Sequence, residues 1–212
     1  MRGPISTYAT QALGIPATAV TPGTAPRGAK VLGEVFSPTI ARIVEIMLLE
    51  SDNVVAEAMA RQAALAKNLP GSFAGGAQAT RAVLTELGIN GSASLVDGSG
   101  LSDDNRVTAS QLTAVLFRAA SPNYPQLRAI MSGLPVAGYS GTLSNRNQGS
   151  GMGLVRAKTG TLNHVNALAG FVVDKDGRLL AFAVVADATD NRVRAEGALD
   201  RLAAGIASCG CR

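Results

Sequence analysis

Tryptophan is absent from this chain and aromatic residues make up only 4% of it, so any core must be packed from Ala, Val, Leu and Ile. Charged residues are also scarce, at 16%. The net charge of +4 comes from arginines scattered along the chain, without a basic run or interleaved aromatics, which argues against nucleic-acid binding. No apolar run reaches the roughly 18 to 20 residues a membrane span needs. The opening "MRGPISTYATQALGIP" lacks the apolar segment of a secretory signal, so the sequence as it stands reads as soluble and carries no address.

Cysteine and histidine exclude more. Cys209 and Cys211 are the only cysteines, too few for a disulfide framework and too poor in partners for zinc, and they read as a plain tail. His164 is the only histidine, so a Ser-His-Asp triad could form only around it. Neither G-x-S-x-G nor a Walker A loop occurs. His164 is expected to be a turn residue.

What is present is a 212-residue chain with 47% hydrophobic content, enough to bury a core. Residues 1–36, rich in Pro, Gly, Thr and Ala, read as a connector with one short strand near 31–35. At Ser37-Pro38 the pattern changes. Ser37 suits an N-cap and Pro38 the first helical position, and Ile40, Ile43, Val44, Met47 and Leu48 follow at helical spacing. A second helix is expected to start within "ESDN", and a third to be stopped by Gly88. Thr108 and Gln111 give a fourth its capping box.

From about residue 154 the period shortens to that of strands, and Asp176-Gly177 marks a hairpin. Leu199, Leu202 and Ile206 then form the stripe of a closing helix. The fold class is therefore α/β in the α+β sense: a helical subdomain, then an antiparallel sheet, then a C-terminal helix covering one face.

Two short motifs carry chemistry. Lys158-Thr159-Gly160 lies in an apolar strand, where an ammonium loses hydration unless an anion or several acceptors compensate it. Thr159 and Thr161 should point away from Lys158 across the strand, and Gly160 lets a ligand or another backbone come close. Taken alone, the motif fits an anion-binding strand or an edge strand guarded by a charge. Ser51-Asp52-Asn53 continues the apolar stripe of the preceding helix, placing the Ser51 hydroxyl toward the interior or a cleft. Alone it fits a helix cap equally well.

S-D-N followed far downstream by K-T-G resembles the active site of the penicillin-recognising serine enzymes. The segments "SPTIARIVEIMLLESDNVVAEAMAR", "LVDGSGLSDDNRVT", "LPVAGYSGTLSNR" and "VRAKTGTLNHVNALAGFVVD" resemble, in order, the D-alanyl-D-alanine carboxypeptidases that also act as endopeptidases, the penicillin-binding protein 4 type or peptidase family S13. The resemblance implies a transpeptidase-like fold of the penicillin-binding and β-lactamase kind, incomplete at its N-terminus. On this basis 1–36 would be the end of an inserted segment and 37–212 the C-terminal part of the catalytic domain.

The resemblance also implies roles. Ser51 would relay a proton between nucleophile and leaving group, and Asn53 would bind the substrate's peptide carbonyl or support the catalytic lysine. Lys158 would keep the site positive and assist Ser51. Thr159 and Thr161, flanking Gly160, would contact the free carboxylate of a terminal D-alanine, and the Thr161 N–H would donate to the oxyanion. The implied partners are peptidoglycan stem peptides ending in D-Ala-D-Ala and β-lactams, in an extracytoplasmic setting. No metal or organic cofactor is implied.

One element of the family pattern is absent. The acylated serine and its general base form S-x-x-K on a helix, whereas Lys30, Lys67, Lys158 and Lys175 are preceded at that spacing by Arg27, Ala64, Val155 and Val172. The expectation is a C-terminal portion of a longer or split enzyme, inactive alone, with an N-terminal half as a possible partner. Two alternatives remain open: a class A-like β-lactamase, in which Glu86 and Asn90 of "TELGIN" would serve deacylation, and a non-catalytic module that binds stem peptides or a partner chain.

Overall fold

A computed structural model describes residues 14, 23–24, 26–31, 34–89, 94–146 and 149–210. Contacts divide the chain into two units, Met1–Ser37 and Pro38–Arg212. In the first, the described residues form no strand, and Val31 and Val35 are exposed. The expected strand near 31–35 is not observed there, and residues 32 and 33 lie outside the described set.

The second unit opens with three helices, α1 (Ile40–Glu50), α2 (Asn53–Ala66) and α3 (Phe73–Glu86). The cap of α1 is Thr39, whose hydroxyl accepts from the Arg42 N–H, and not Ser37: Pro38 precedes the helix instead of opening it. α3 ends as expected. Gly88 has a φ of 68°, and the Ile89 N–H reaches back to the Leu84 carbonyl at 2.8 Å, a left-handed stop that glycine adopts without steric cost.

α4 (Ala109–Ala120) carries the full Thr108–Gln111 capping box. A short α5 (Arg128–Gly133) follows and packs on α1. Gly133 permits this contact, since a Cβ there would stand 2.7 Å from the Glu45 Cα.

The sheet is antiparallel, in the order β1 (Val155–Leu162), β2 (Val165–Val173), β3 (Leu179–Ala186). Between β2 and β3, Gly177 takes a φ of 78°. Buried Asp174 accepts from the Asp176 and Arg178 N–H groups and from the Arg178 guanidinium.

Alternation sorts the sheet into two faces. Val155, Ala157, Leu168, Val172 and Phe182 join Leu199, Ala203 and Ala207 of α6 (Arg192–Ser208) in the larger core. On the opposite face Phe171 packs with Leu116, Ala119 and Leu134 of the helical layer. Leu202, expected in the α6 stripe, is 44% exposed, and Ala203 takes its place, which lets the helix lie close to the sheet. Cys209, beyond α6, is disulfide-bonded.

Candidate active site

Three segments converge at the open edge of β1. The first half of that edge is covered: the Ala137 N–H bonds the Val155 carbonyl and the Ala157 N–H bonds the Pro135 carbonyl, at 2.9 and 3.0 Å. By alternation, the peptide groups of Thr159 and Thr161 point to the same side. Past Ala157, however, no described strand pairs with that edge. The edge beyond Ala157 thus faces a cleft of about 570 Å³, with the Thr159 carbonyl taken by Lys158 Nζ.

The corner between α1 and α2 is the second segment. α1 stops because Ser51 enters the left-handed region, at φ 56° and ψ 45°, and Asp52 caps α2 by accepting from the Val54 and Val55 N–H groups. Ser51 therefore does not continue the helical stripe, although its hydroxyl still enters the cleft as expected. Asn53, the first residue of α2, is exposed and lines the same cleft.

Lys158 joins the two. It lies on the face toward the helical layer, and its Nζ donates to Ser51 Oγ at 2.7 Å and to the Thr159 carbonyl at 2.8 Å. Burial pushes its pKa below the ordinary lysine value of 10.5, because a desolvated ammonium is disfavoured against the neutral amine. None of the ion pairs among the described residues includes Lys158. The site is a positive centre held by two neutral acceptors.

Thr159 and Thr161 lie across the strand from Lys158, as expected. Thr159 donates to Thr142 Oγ1 at 3.0 Å. Thr142 sits in a short 3-10 turn, Gly141–Leu143, that also rests on the end of α1: a Cβ at Gly141 would stand 2.3 Å from the Leu49 carbonyl. One turn therefore braces both the K-T-G strand and the helix that ends in Ser51. Gly160 is exposed, and a Cβ there would meet Ala167 at 3.3 Å.

The wall opposite is a loop with no sign of this placement in its sequence. Gly98, Ser99, Gly100 and Leu101 line the cleft. His164 is a turn residue with φ 59°, at the tip between β1 and β2. Glu86 is on the surface, bridging Lys67 at 2.5 Å, and is not among the cleft residues. This removes its support for a β-lactamase role, while Asn90 lies outside the described residues. Among the described residues, no group of three or more His, Cys, Asp or Glu could hold a metal ion, and no helix is long and apolar enough to cross a membrane.

The D-Ala-D-Ala carboxypeptidase 3 (S13) family model matches residues 8–205. The chain belongs to this family. It is 42% identical over 208 residues to a carboxypeptidase of Mycobacterium tuberculosis, covering 95% of this chain and 44% of that protein. It is 45% identical over 191 residues to the carboxypeptidase DacB of Mycolicibacterium smegmatis, covering 87% of this chain and 41% of that one.

Penicillin-binding protein 4 (DacB) of Haemophilus influenzae, solved with a β-lactam, shares the fold at a TM-score of 0.68 and 32% identity, over 78% of this chain and 40% of that one. The mixed helical and antiparallel-sheet architecture is therefore that of the matching part of penicillin-binding protein 4. The chain spans less than half the length of these relatives.

Proposed function

We propose that this S13 chain carries the substrate-binding side of a serine-type D-Ala-D-Ala carboxypeptidase/endopeptidase site acting on peptidoglycan stem peptides outside the cytoplasm. The observation that carries the reading is the desolvated Lys158 ammonium held 2.7 Å from Ser51 Oγ beside an unpaired strand edge. An extended peptide ending in a carboxylate meets each part of this arrangement. Its backbone pairs with the Thr159–Thr161 edge, and the positive centre at Lys158 draws its carboxylate to the hydroxyls of Thr159 and Thr161, the first of which gives up its bond to Thr142 Oγ1.

In acyl transfer, a serine oxygen attacks the penultimate D-Ala carbonyl. The C–N bond then breaks, and the proton from the serine reaches the departing amine through Ser51. Asn53 orients the peptide carbonyl, and the Thr161 N–H donates to the oxyanion. The attacking serine and its lysine base belong to an S-x-x-K that this sequence does not contain, so acylation requires them from outside these 212 residues. A groove beside β3, lined by Phe117, Leu179 and Ala181, is apolar, and Phe117 and Leu179 are exposed. This surface fits a partner segment of that kind.

The test is labelling with a fluorescent penicillin. The chain alone should form no covalent adduct. Mixed with the S-x-x-K-bearing part of an S13 enzyme it should form one, and Lys158→Ala should abolish the restored labelling. A stoichiometric adduct from the chain alone would overturn the reading, as would restored labelling indifferent to Lys158.

A further inference from the structure

Glu57 is a carboxylate that the chemistry above does not use. It lies one turn after Asn53 on α2 and is 8% exposed. A buried carboxylate normally pairs with a cation, yet none of the ion pairs among the described residues includes it. Its Oε1 instead accepts from the backbone N–H groups of Gly98 and Ser99, at 2.9 and 2.8 Å. Its Oε2 is buried without a hydrogen-bond partner.

The loop held in this way is stiffened from within by a second carboxylate. Asp97 accepts from the Gly100 N–H, the Ser102 N–H and Asn105 Nδ2, at 2.8, 2.7 and 2.9 Å. Glu57 therefore ties an already rigid loop to α2, the helix that begins with Asn53. The docking is close: a Cβ at Gly98 would stand 2.5 Å from the Ala60 Cβ. The tip of the loop, Ser99 to Leu101, forms the cleft wall facing β1.

We infer that Glu57 is a positioning residue: its carboxylate fixes the 97–101 wall relative to Asn53 and so sets the width of the cleft across from Lys158. The consequence for ligands rests on the function proposed above: an extended peptide on the β1 edge is held from the other side by this wall.

The experiment compares the wild-type chain with Glu57→Ala, Glu57→Gln and Gly98→Ala. It reads amide hydrogen exchange at Gly98 and Ser99, and binding of an acyl-Lys-D-Ala-D-Ala tripeptide by chemical-shift changes at Lys158–Thr161. Glu57→Ala should speed exchange at both amides by about tenfold or more and weaken tripeptide binding by a similar factor. Glu57→Gln, which keeps an acceptor, should recover most of both. Gly98→Ala should reproduce the alanine phenotype from the loop side with the carboxylate intact, so a folding failure of one variant leaves the other to decide.

Unchanged exchange in Glu57→Ala, or fast exchange with full tripeptide affinity, would overturn the inference. If the wild-type chain fails to bind the tripeptide, the proposed function fails, and the exchange arm alone decides whether Glu57 positions the loop.

Discussion

The Lys158 ammonium and the Ser51 hydroxyl, 107 positions apart in sequence, meet at 2.7 Å. The two motifs that bring them together belong to different layers of the fold, one to the sheet edge and one to the corner between two helices. The contact makes each motif depend on the other.

Replacing Lys158 should stabilise the fold. Burial holds the folded pKa below 10.5, so between the folded value and 10.5 the unfolded chain binds the extra proton. Stability from this group therefore rises with pH across that window, and below it the buried charge is a constant cost. Lys158→Met should raise Tm at pH 7, with the gain shrinking as the pH approaches 10.5. A loss of stability at pH 7 would contradict this account.

Ser51→Ala should push the Lys158 pKa further down. The hydroxyl accepts from the ammonium and favours the charged form. Removing it leaves the Thr159 carbonyl as the remaining described acceptor. Titration of the Lys158 side chain by NMR measures the effect, and an unchanged or higher pKa would show that the hydrogen bond does not stabilise the charge.

Gly170→Ala should be severe although it adds one methyl. In β2 opposite Ala157, a Cβ would stand 2.0 Å from the Arg156 carbonyl oxygen and 2.5 Å from the Ala157 Cα. Only a backbone shift in β1, just before Lys158, can relieve that. Denaturant unfolding should show a loss of about 3 kcal/mol, and the amide signals of Lys158 and Thr159 should move.

Asp52→Ala removes the cap that starts α2 immediately after Ser51. The expected cost is about 1 kcal/mol, read by chemical denaturation. Exchange should quicken at the Val54 and Val55 amides while those of α4 stay protected.

The features that were legible in the sequence are those with local causes. The Gly88 stop, the Thr108–Gln111 capping box and the Asp176-Gly177 turn each depend on a few neighbouring residues, and each was readable. Ser37-Pro38 imitates a helix start, whereas the cap of α1 is Thr39, which reaches the third N–H along. Leu202 belongs to the stripe by hydrophobicity, which alone does not say which side of a close-packed helix holds alanine.

The placement of the candidate site is legible where residue type is unusual for its setting, as for Lys158. Glu57 and Thr142 gave no such signal. A glutamate in a helix and a threonine in a loop are ordinary, and their partners lie 41 and 17 positions away.

The left-handed corner at Ser51 has a consequence for how this chain can change. A side chain in that backbone region costs roughly 1 to 2 kcal/mol, which glycine would avoid, but glycine would also take from the Lys158 ammonium one of its two described acceptors. A laboratory evolution experiment that rewards heat resistance alone should therefore reach Ser51→Gly readily only in a background where Lys158 has already been replaced. The two positions would drift as a pair, with the loss of the charge coming first.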